Sequence, residues 1–470
     1  MQLYSILILF CYFCFSPSMA WGNSIFTVCS ETDSIITLDK CISLALLNNH
    51  KVKISGEEVK IADSRLKQAK SAFYPSLSFS AKASIMDENL MFIMPGQEYV
   101  IDLPHIPGIT IDKIKTPPTN AVIMDKANAH TRFSLTLPIY TGGKTQAINM
   151  QAENNVDIAR NNKVQTDREI IFDIKQYYYS YILAKRMLDL LNETTERLEA
   201  TLNLTESLYI NGSGKVTKLD YTKNKVLVDQ VKNLKPEFEK NYIKSREALQ
   251  FSSGNSLPDN FSVRSYDIPF IPVSTNYDEV LRQVYLNNPD WTKINKAVEI
   301  LIAKTAEAKS SLFPSVGIFA NMDANFNDFN YGLSNDYNKY IWTVGIGIQY
   351  DIFSGFRTSA QIEEAESGLS KVKEEKLLLK DALELQIKNI FHDIAAQEKS
   401  VISLSESRNN ADENCSLTER SFNQNITDTG ELIQAQIMAS LVQIQYLKAL
   451  YEYTISCARL ELISGIEIHN

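Results

Sequence analysis

The sequence predicts an α+β membrane protein made of two copies of one unit, in which long antiparallel coiled-coil helices carry amphipathic β-hairpins. Three observations predict it: a long-range internal repeat, four strands of alternating character, and helical stretches of sustained heptad spacing. Ala69-Lys70-Ser71-Ala72-Phe73-Tyr74-Pro75-Ser76 returns as Ala308-Lys309-Ser310-Ser311-Leu312-Phe313-Pro314-Ser315, an offset of 239, and Leu47-Asn48-Asn49 returns as Leu286-Asn287-Asn288. Ile139-Tyr140-Thr141-Gly142 then returns as Ile352-Phe353-Ser354-Gly355 at an offset of 213, and Tyr209 and Leu219 meet Phe422 and Leu432 at the same offset. The 26-residue change is a single length difference, between residues 82 and 130 of the first copy.

Residues 1–20 read as a secretory signal: Ile6 to Phe15 is apolar, and Ser18-Met19-Ala20 supplies the small residues of a cleavage site. The first copy, residues 21–254, opens with a helical stretch from Thr37 to about Phe73, broken near Asn48-Asn49-His50. A hairpin over 74–140 follows. Its first strand shows Leu77, Phe79, Ala81, Ala83 and Ile85 on one face and Ser76, Ser78, Ser80, Lys82 and Ser84 on the other. Residues 86–129, with Pro95, Pro104, Pro107, Pro117 and Pro118, read as a long loop. The second strand alternates Phe133, Leu135, Leu137 and Ile139 with Arg132, Ser134 and Thr136.

A long helix is expected over 144–209, because no proline or glycine interrupts it. Positions 174, 177, 181, 184, 188, 191, 195, 198, 202, 205 and 209 keep 3-4 spacing, and nine of these eleven residues are apolar. A turn at Asn211-Gly212-Ser213-Gly214 leads to a return helix over 216–251. The linker over 255–276 carries Pro258, Pro269 and Pro272. The second copy, residues 277–470, repeats the order: helix, hairpin over 313–353, long helix over 357–422, turn at Asn423-Gln424-Asn425, and return helix over 430–463. Its strands alternate Val316, Ile318, Ala320 and Met322 with Gly317, Phe319, Asn321 and Asp323, and Trp342, Val344, Ile346, Ile348 and Tyr350 with Thr343, Gly345, Gly347, Gln349 and Asp351.

Composition excludes several classes. A net charge of −9 argues against a nucleic-acid partner. Four cysteines beyond the signal, Cys29, Cys41, Cys415 and Cys457, are too few for a disulfide scaffold. Export permits a Cys29–Cys41 bridge and equally two free thiols. The five histidines form no ligand cluster, and no nucleophile–base–acid set is visible, so no enzyme, metal or cofactor is expected. Gly142-Gly143-Lys144-Thr145 imitates the end of a phosphate-binding loop, but Pro138 stands where such a loop needs glycine; a tight strand-to-helix turn is the reading.

Each strand of about ten residues has the length of a membrane-spanning strand. Four strands cannot close a barrel, and an open edge is not tolerated in lipid, so other copies must complete the sheet. Three copies supply twelve strands, with the helices continuing the barrel as a hollow cylinder.

With the duplicated helix–hairpin–helix order, the Ala-x4-Phe/Tyr-Pro-Ser strand entries at Ala69 and Ala308, the Gly142-Gly143 and Gly355-Phe356 turns, and the tips at Tyr209 and Phe422, the chain resembles the TolC-like outer-membrane efflux proteins over essentially its whole mature length. The resemblance implies a homotrimeric duct through outer membrane and periplasm, with a twelve-stranded β-barrel above an α-barrel. It further implies docking with a periplasmic adaptor and an inner-membrane pump or ABC transporter, in efflux or type I secretion. The family's acidic entrance ring maps to Glu431; Gln434 replaces its second carboxylate, Thr427 its basic latch residue, and Asp428 is a helper or helix cap. Tyr209, Gly212, Phe422 and Asn425 mark the tips as adaptor contacts, while Trp342 and Tyr140 suit a membrane-interface belt. The competing expectation is an outer-membrane-anchored coiled-coil structural or adhesive protein with the 86–129 loop as its binding surface.

Overall fold

The computed structural model describes residues 35–100, 107, 113–212, 216–263, 266–327 and 339–466. The expected signal peptide, Cys29, Ser213 and Gly214 lie outside these. The short and long helices of the two copies correspond in sequence. Helices α1 (Leu38–Asn48) and α2 (His50–Ser71) recur as α6 (Tyr277–Asn287) and α7 (Pro289–Ser310), each at the 239 offset. The long helices α3 (Lys144–Ile210) and α8 (Arg357–Asn423) have 67 residues each and are related by 213. Such a helix spans about 100 Å.

Local chemistry sets the helix ends. Asn49 and Asn288 lie in extended backbone between each short helix and the next, and their side chains cap α2 and α7. Each carboxamide also reaches across the chain: Asn49 Nδ2 donates to Ser252 O at 2.8 Å and Asn288 Nδ2 to Ile463 O at 3.1 Å. The Leu-Asn-Asn repeat therefore ties each helix break to the end of a return helix. The Gly142-Gly143 turn has φ of +63° and +89°, and a Cβ on Gly142 would stand 2.6 Å from Ser310 O. The segment is a turn packed on a neighbouring helix end. Its second-copy counterpart is Gly355-Phe356, so Phe356 adopts φ +64°.

Two expectations are corrected. The return helix over 216–251 is two helices, α4 (Lys218–Lys232) and α5 (Lys235–Ser252). Pro236 has no N–H for the preceding turn and its ring displaces it, so the helix restarts there. The 86–129 segment is not a plain loop. Strands β3 (Leu90–Met94) and β6 (Thr119–Met124) pair antiparallel, and β4 (Glu98–Val100) pairs with β5 (Lys113–Lys115). Pro95, Pro117 and Pro118 fall at the strand ends, where a missing N–H costs no ladder bond, so they punctuate the ribbon.

The main sheet has the order β10-β9-β7-β2, from β2 (Ser76–Ile85), β7 (Ala127–Tyr140), β9 (Ser315–Asn327) and β10 (Tyr340–Gln349). The central β7–β9 ladder joins the two copies. β7 begins four residues before the expected Thr131. At the other end of the short helices, β1 (Ile35–Ile36) pairs parallel with β8 (Ser262–Val263) of the linker.

The long helix α3 is shared. Near the sheet it lies against α2 and α7, and toward its far end against α5, α4 and α9 (Thr429–Ser464), while α8 packs on α7 and α9. The main core surrounds the middle of the bundle: Ile170, Ile174, Tyr181 and Ile182 of α3 meet Ile387, Ile394, Tyr453 and Leu460 among others. Tyr181 packs on Tyr242 and Phe261, with ring centroids 5.4 and 5.2 Å away. Cys41 and Cys457 are buried thiols in this core. Burial pushes them up to about 12 and about 11 respectively.

Candidate functional site: a sheet wall and a helical tip

The sheet presents two unlike faces. Trp342, Val344, Ile346 and Ile348 of β10 lie opposite Met322, Ala320, Ile318 and Val316 of β9, giving one continuous apolar face. Trp342 is 78% and Ile348 72% exposed. Aromatic residues bracket this face, with Tyr340 and Trp342 at one end and Tyr350 and Tyr140 at the other. Ten residues separate Tyr340 from Tyr350; at about 3.3 Å per residue and a tilt near 40° they cover roughly 25 Å along a membrane normal. That matches the apolar band of a β-barrel. Among the described residues no helix is long and apolar enough to cross a membrane. Trp342 and Tyr140 sit at opposite ends of the band. The sequence reading missed Phe353 and Phe356, whose exposed rings meet edge-to-face at 5.6 Å beside Tyr350. Their position in the Gly355-Phe356 turn was the available signal.

The other face is polar and cross-linked between the copies. Asp323 Oδ1 accepts from Arg132 Nε at 2.6 Å and lies 3.1 Å from His130 Nε2. His130 Nδ1 stands 2.8 Å from Asn325 Oδ1, and Ser134 donates to Asn321 at 2.6 Å. Small residues, Gly345 and Gly347 of β10, complete this face, where a Cβ on Gly345 would strike the Phe319 ring at 2.7 Å. Water on this side and hydrocarbon on the other satisfy both faces at once.

The far helical end carries the expected tip residues. Gly212 (φ +59°) and Asn425 (φ +58°) occupy equivalent left-handed positions, glycine in one copy and asparagine, the next best residue there, in the other. Tyr209 stacks on Tyr221 with a centroid separation of 6.0 Å and an angle of 3°, and Tyr221 donates to Glu206 at 3.0 Å. Phe422 is the last residue but one of α8, and its carbonyl accepts from Asn425 N–H at 2.9 Å. Thr217 and Asp220 form a reciprocal capping box on α4, and hydrogen bonds from the Thr217 side chain and backbone hold the Asp220 carboxyl below its ordinary value.

Asp428 is the N-cap of α9: its Oδ1 accepts from Glu431 N–H at 2.9 Å. Glu431 itself is exposed, and Gln434, one turn on, is exposed on the same side of the helix. Behind them Asn224 Nδ2 donates to buried Thr429 Oγ1 at 3.0 Å. That contact joins elements 205 residues apart and carried no sequence signal. Farther up the seam, Thr194 and Ser440 share a hydrogen bond of 2.7 Å and Thr201 donates to Gln436 at 3.4 Å. Cys415 is half-buried, in a groove with Arg197, Asp412 and Glu419. Burial raises its thiol from the ordinary value.

A duplicated chain with membrane-length strands and helices of about 100 Å is an outer-membrane channel protein by architecture. The outer membrane efflux protein family matches residues 41–255 and 280–466, which is most of the sequence, and the chain belongs to that family. The outer-membrane channel OprN is similar in structure, with a TM-score of 0.73 and 15% identity over 91% of this chain and 89% of its own. The open state of the MtrE outer membrane channel of Neisseria gonorrhoeae gives 0.72 and 14% over 92% and 89%. Salmonella typhimurium SilC, a probable outer membrane lipoprotein, is 20% identical over 199 residues, 42% of each chain.

Proposed function

We propose that three copies of this chain close into a twelve-stranded barrel continued by a helical tunnel, a passive exit duct for substrates delivered by an inner-membrane pump through a periplasmic adaptor. One observation carries the reading: the four-stranded sheet ends in two edges, β10 and β2, that have no partner strand among the described residues, while its apolar face is exposed along its length. An open edge in hydrocarbon leaves N–H and C=O groups unsatisfied at several kcal/mol each, and antiparallel pairing of β2 with a neighbour's β10 removes both edges. The helices follow: the outer edge of α8, with exposed Leu377, Leu378, Leu385 and Ile402, would meet the edge of α2 and α5, with exposed Ile54, Ile61 and Ile243.

Energy must come from the partner pump, since the chain holds no nucleotide motif. The tips formed by Tyr209, Gly212, Phe422 and Asn425 are the surface an adaptor would grip. Threefold symmetry would gather three Glu431 carboxylates at the entrance, with Gln434 one turn above and Asp428 serving the helix start, and this ring would favour cations. The test combines mass and conductance. Detergent-purified protein should have the mass of a trimer and conduct in planar bilayers, and Glu431→Gln should move the reversal potential in a salt gradient toward weaker cation selectivity. A monomer without conductance sinks the duct; a conducting trimer whose selectivity ignores Glu431→Gln sinks only the entrance assignment.

A further inference from the structure

We propose that the β3–β6 ribbon is a plug at the outer mouth: one ribbon from each chain bends over the barrel, and the three pack their apolar side chains on one another at the axis. This rests on the trimeric reading above.

The chemistry of β3 is the first argument. Leu90, Met91, Phe92, Ile93 and Met94 are consecutive and 52%, 46%, 53%, 62% and 54% exposed, so both faces of the ribbon are apolar and open. Five such side chains present on the order of 500 Å² of apolar surface, the size that marks an interaction site. A two-stranded ribbon is also marginal in water without something to pack against.

The covering is not lipid. Strand register places Trp342 level with Met322, then Phe133, then Phe79. Beyond Phe79 the strand continues six residues to Ile85, some 20 Å at about 3.3 Å per residue, and residues 86–89 then separate it from Leu90. The ribbon therefore stands above the membrane band. Charge brackets it on both sides: Asp87, Glu88 and Lys126 at its base, and Glu98 paired with Lys113 (3.3 Å) and Lys115 (3.8 Å) at its tip.

The joint shows which way the ribbon leans. Asn128 belongs to the polar face of the sheet, in register with Ser84 and Asn327. Its carboxamide accepts from Ser84 Oγ at 2.9 Å and donates to Asp125 O at 3.2 Å, drawing the ribbon's end to that side. Asp125 is 1% exposed, and with Met124 it lines a cavity of about 150 Å³ shared with His130 and Asn325 of the same polar face. In a closed barrel the polar face is the lumen, so the ribbon bends inward. Reach is sufficient. Twelve strands about 4.8 Å apart and tilted near 40° enclose a radius of roughly 12 Å to the strand axes, whereas the five residues of β3 extend about 17 Å. Among the described residues only the first copy carries such a ribbon, so each chain contributes one.

Cysteine chemistry and conductance test the plug together. The full-length Phe92→Cys protein, confirmed as a trimer by light scattering in detergent, should cross-link between chains with a short bismaleimide. Replacing residues 88–126 by an Asn-Gly turn should raise single-channel conductance by roughly threefold or more, and Phe92→Asp with Ile93→Asp should do the same in a full-length chain by like-charge repulsion at the axis. A trimer whose Phe92→Cys does not cross-link, and whose conductance ignores the aspartates, overturns the plug and leaves the duct standing. Quenching of a fluorophore on Phe92→Cys by lipid-borne quenchers would overturn it in favour of the bilayer. A mass other than a trimer would overturn both.

Discussion

The middle of the helical bundle and its tip-ward end are made from the same helices, yet their interiors differ. Around the middle, α3, α8 and α9 enclose a large apolar core in which Ile174, Ile387, Cys457 and Leu460 lose all or nearly all contact with water. Tyr453 is 1% exposed there, and its hydroxyl donates to Ile271 O at 2.9 Å while accepting from Val273 N–H at 3.1 Å, so it clamps the inter-copy linker to α9. Toward the tips the apolar core shrinks to Leu198, Val228 and Ile433 with a few half-buried neighbours. Between them lie the pairs Thr194–Ser440, Thr201–Gln436 and Asn224–Thr429. A net hydrogen bond contributes about 1 kcal/mol, and its partners can be exchanged for water, whereas opening an apolar core forfeits its burial outright. The middle is therefore a collar that costs more to open than the tip-ward seam.

The largest effect should come from the collar. Tyr453→Ala removes a buried ring and two linker contacts and should cost about 3–5 kcal/mol, seen as a fall in the guanidinium unfolding midpoint, with Tyr453→Phe losing only about 1 kcal/mol. Similar losses from both would show that the linker clamp, not the ring, carries the collar.

The tip seam should respond in dynamics more than in stability. Thr194→Val with Ser440→Ala removes both partners of one pair, so stability should change by less than about 1 kcal/mol. Amide exchange in the tip turns around Gly212 and Asn425 should slow severalfold, and open dwell times in bilayers should shorten. Faster exchange would break the contrast drawn here.

The smallest effect is a pH dependence. Asp220 titrates below its ordinary value because Thr217 hydrogen-bonds its carboxylate, so its contribution is present above the unfolded value and lost as pH falls through the folded one. The first-copy tip should thus keep its exchange protection at neutral and mildly acidic pH and lose it in strong acid, and Asp220→Asn should erase that acid step. An acid step that persists in Asp220→Asn would assign it to another carboxylate.

Legibility followed locality. The heptad seam was readable because Ile174, Tyr181, Leu191, Leu198 and Thr205 recur at 3-4 spacing, and all five are buried. Tyr178, Thr194 and Thr201 are buried as well, one step off that seam. A helix shared between partners on two sides needs two stripes, and heptad counting finds one. The Asp428 cap was readable because its bond spans three residues; the Asn224 contact with Thr429 was not.

By itself the sequence determined the duplication, the strand faces, the two long helices and the Asp428 cap, because each depends on a pattern read along the chain. Only the tertiary structure decided that β7 pairs with β9 across the copies, that the 86–129 segment folds into a ribbon leaning toward the polar face, and that the tip-ward seam is held by hydrogen bonds. Those depend on which surfaces meet after more than a hundred residues of chain have been placed. Periodicity says which face of an element is buried, and packing alone says against what.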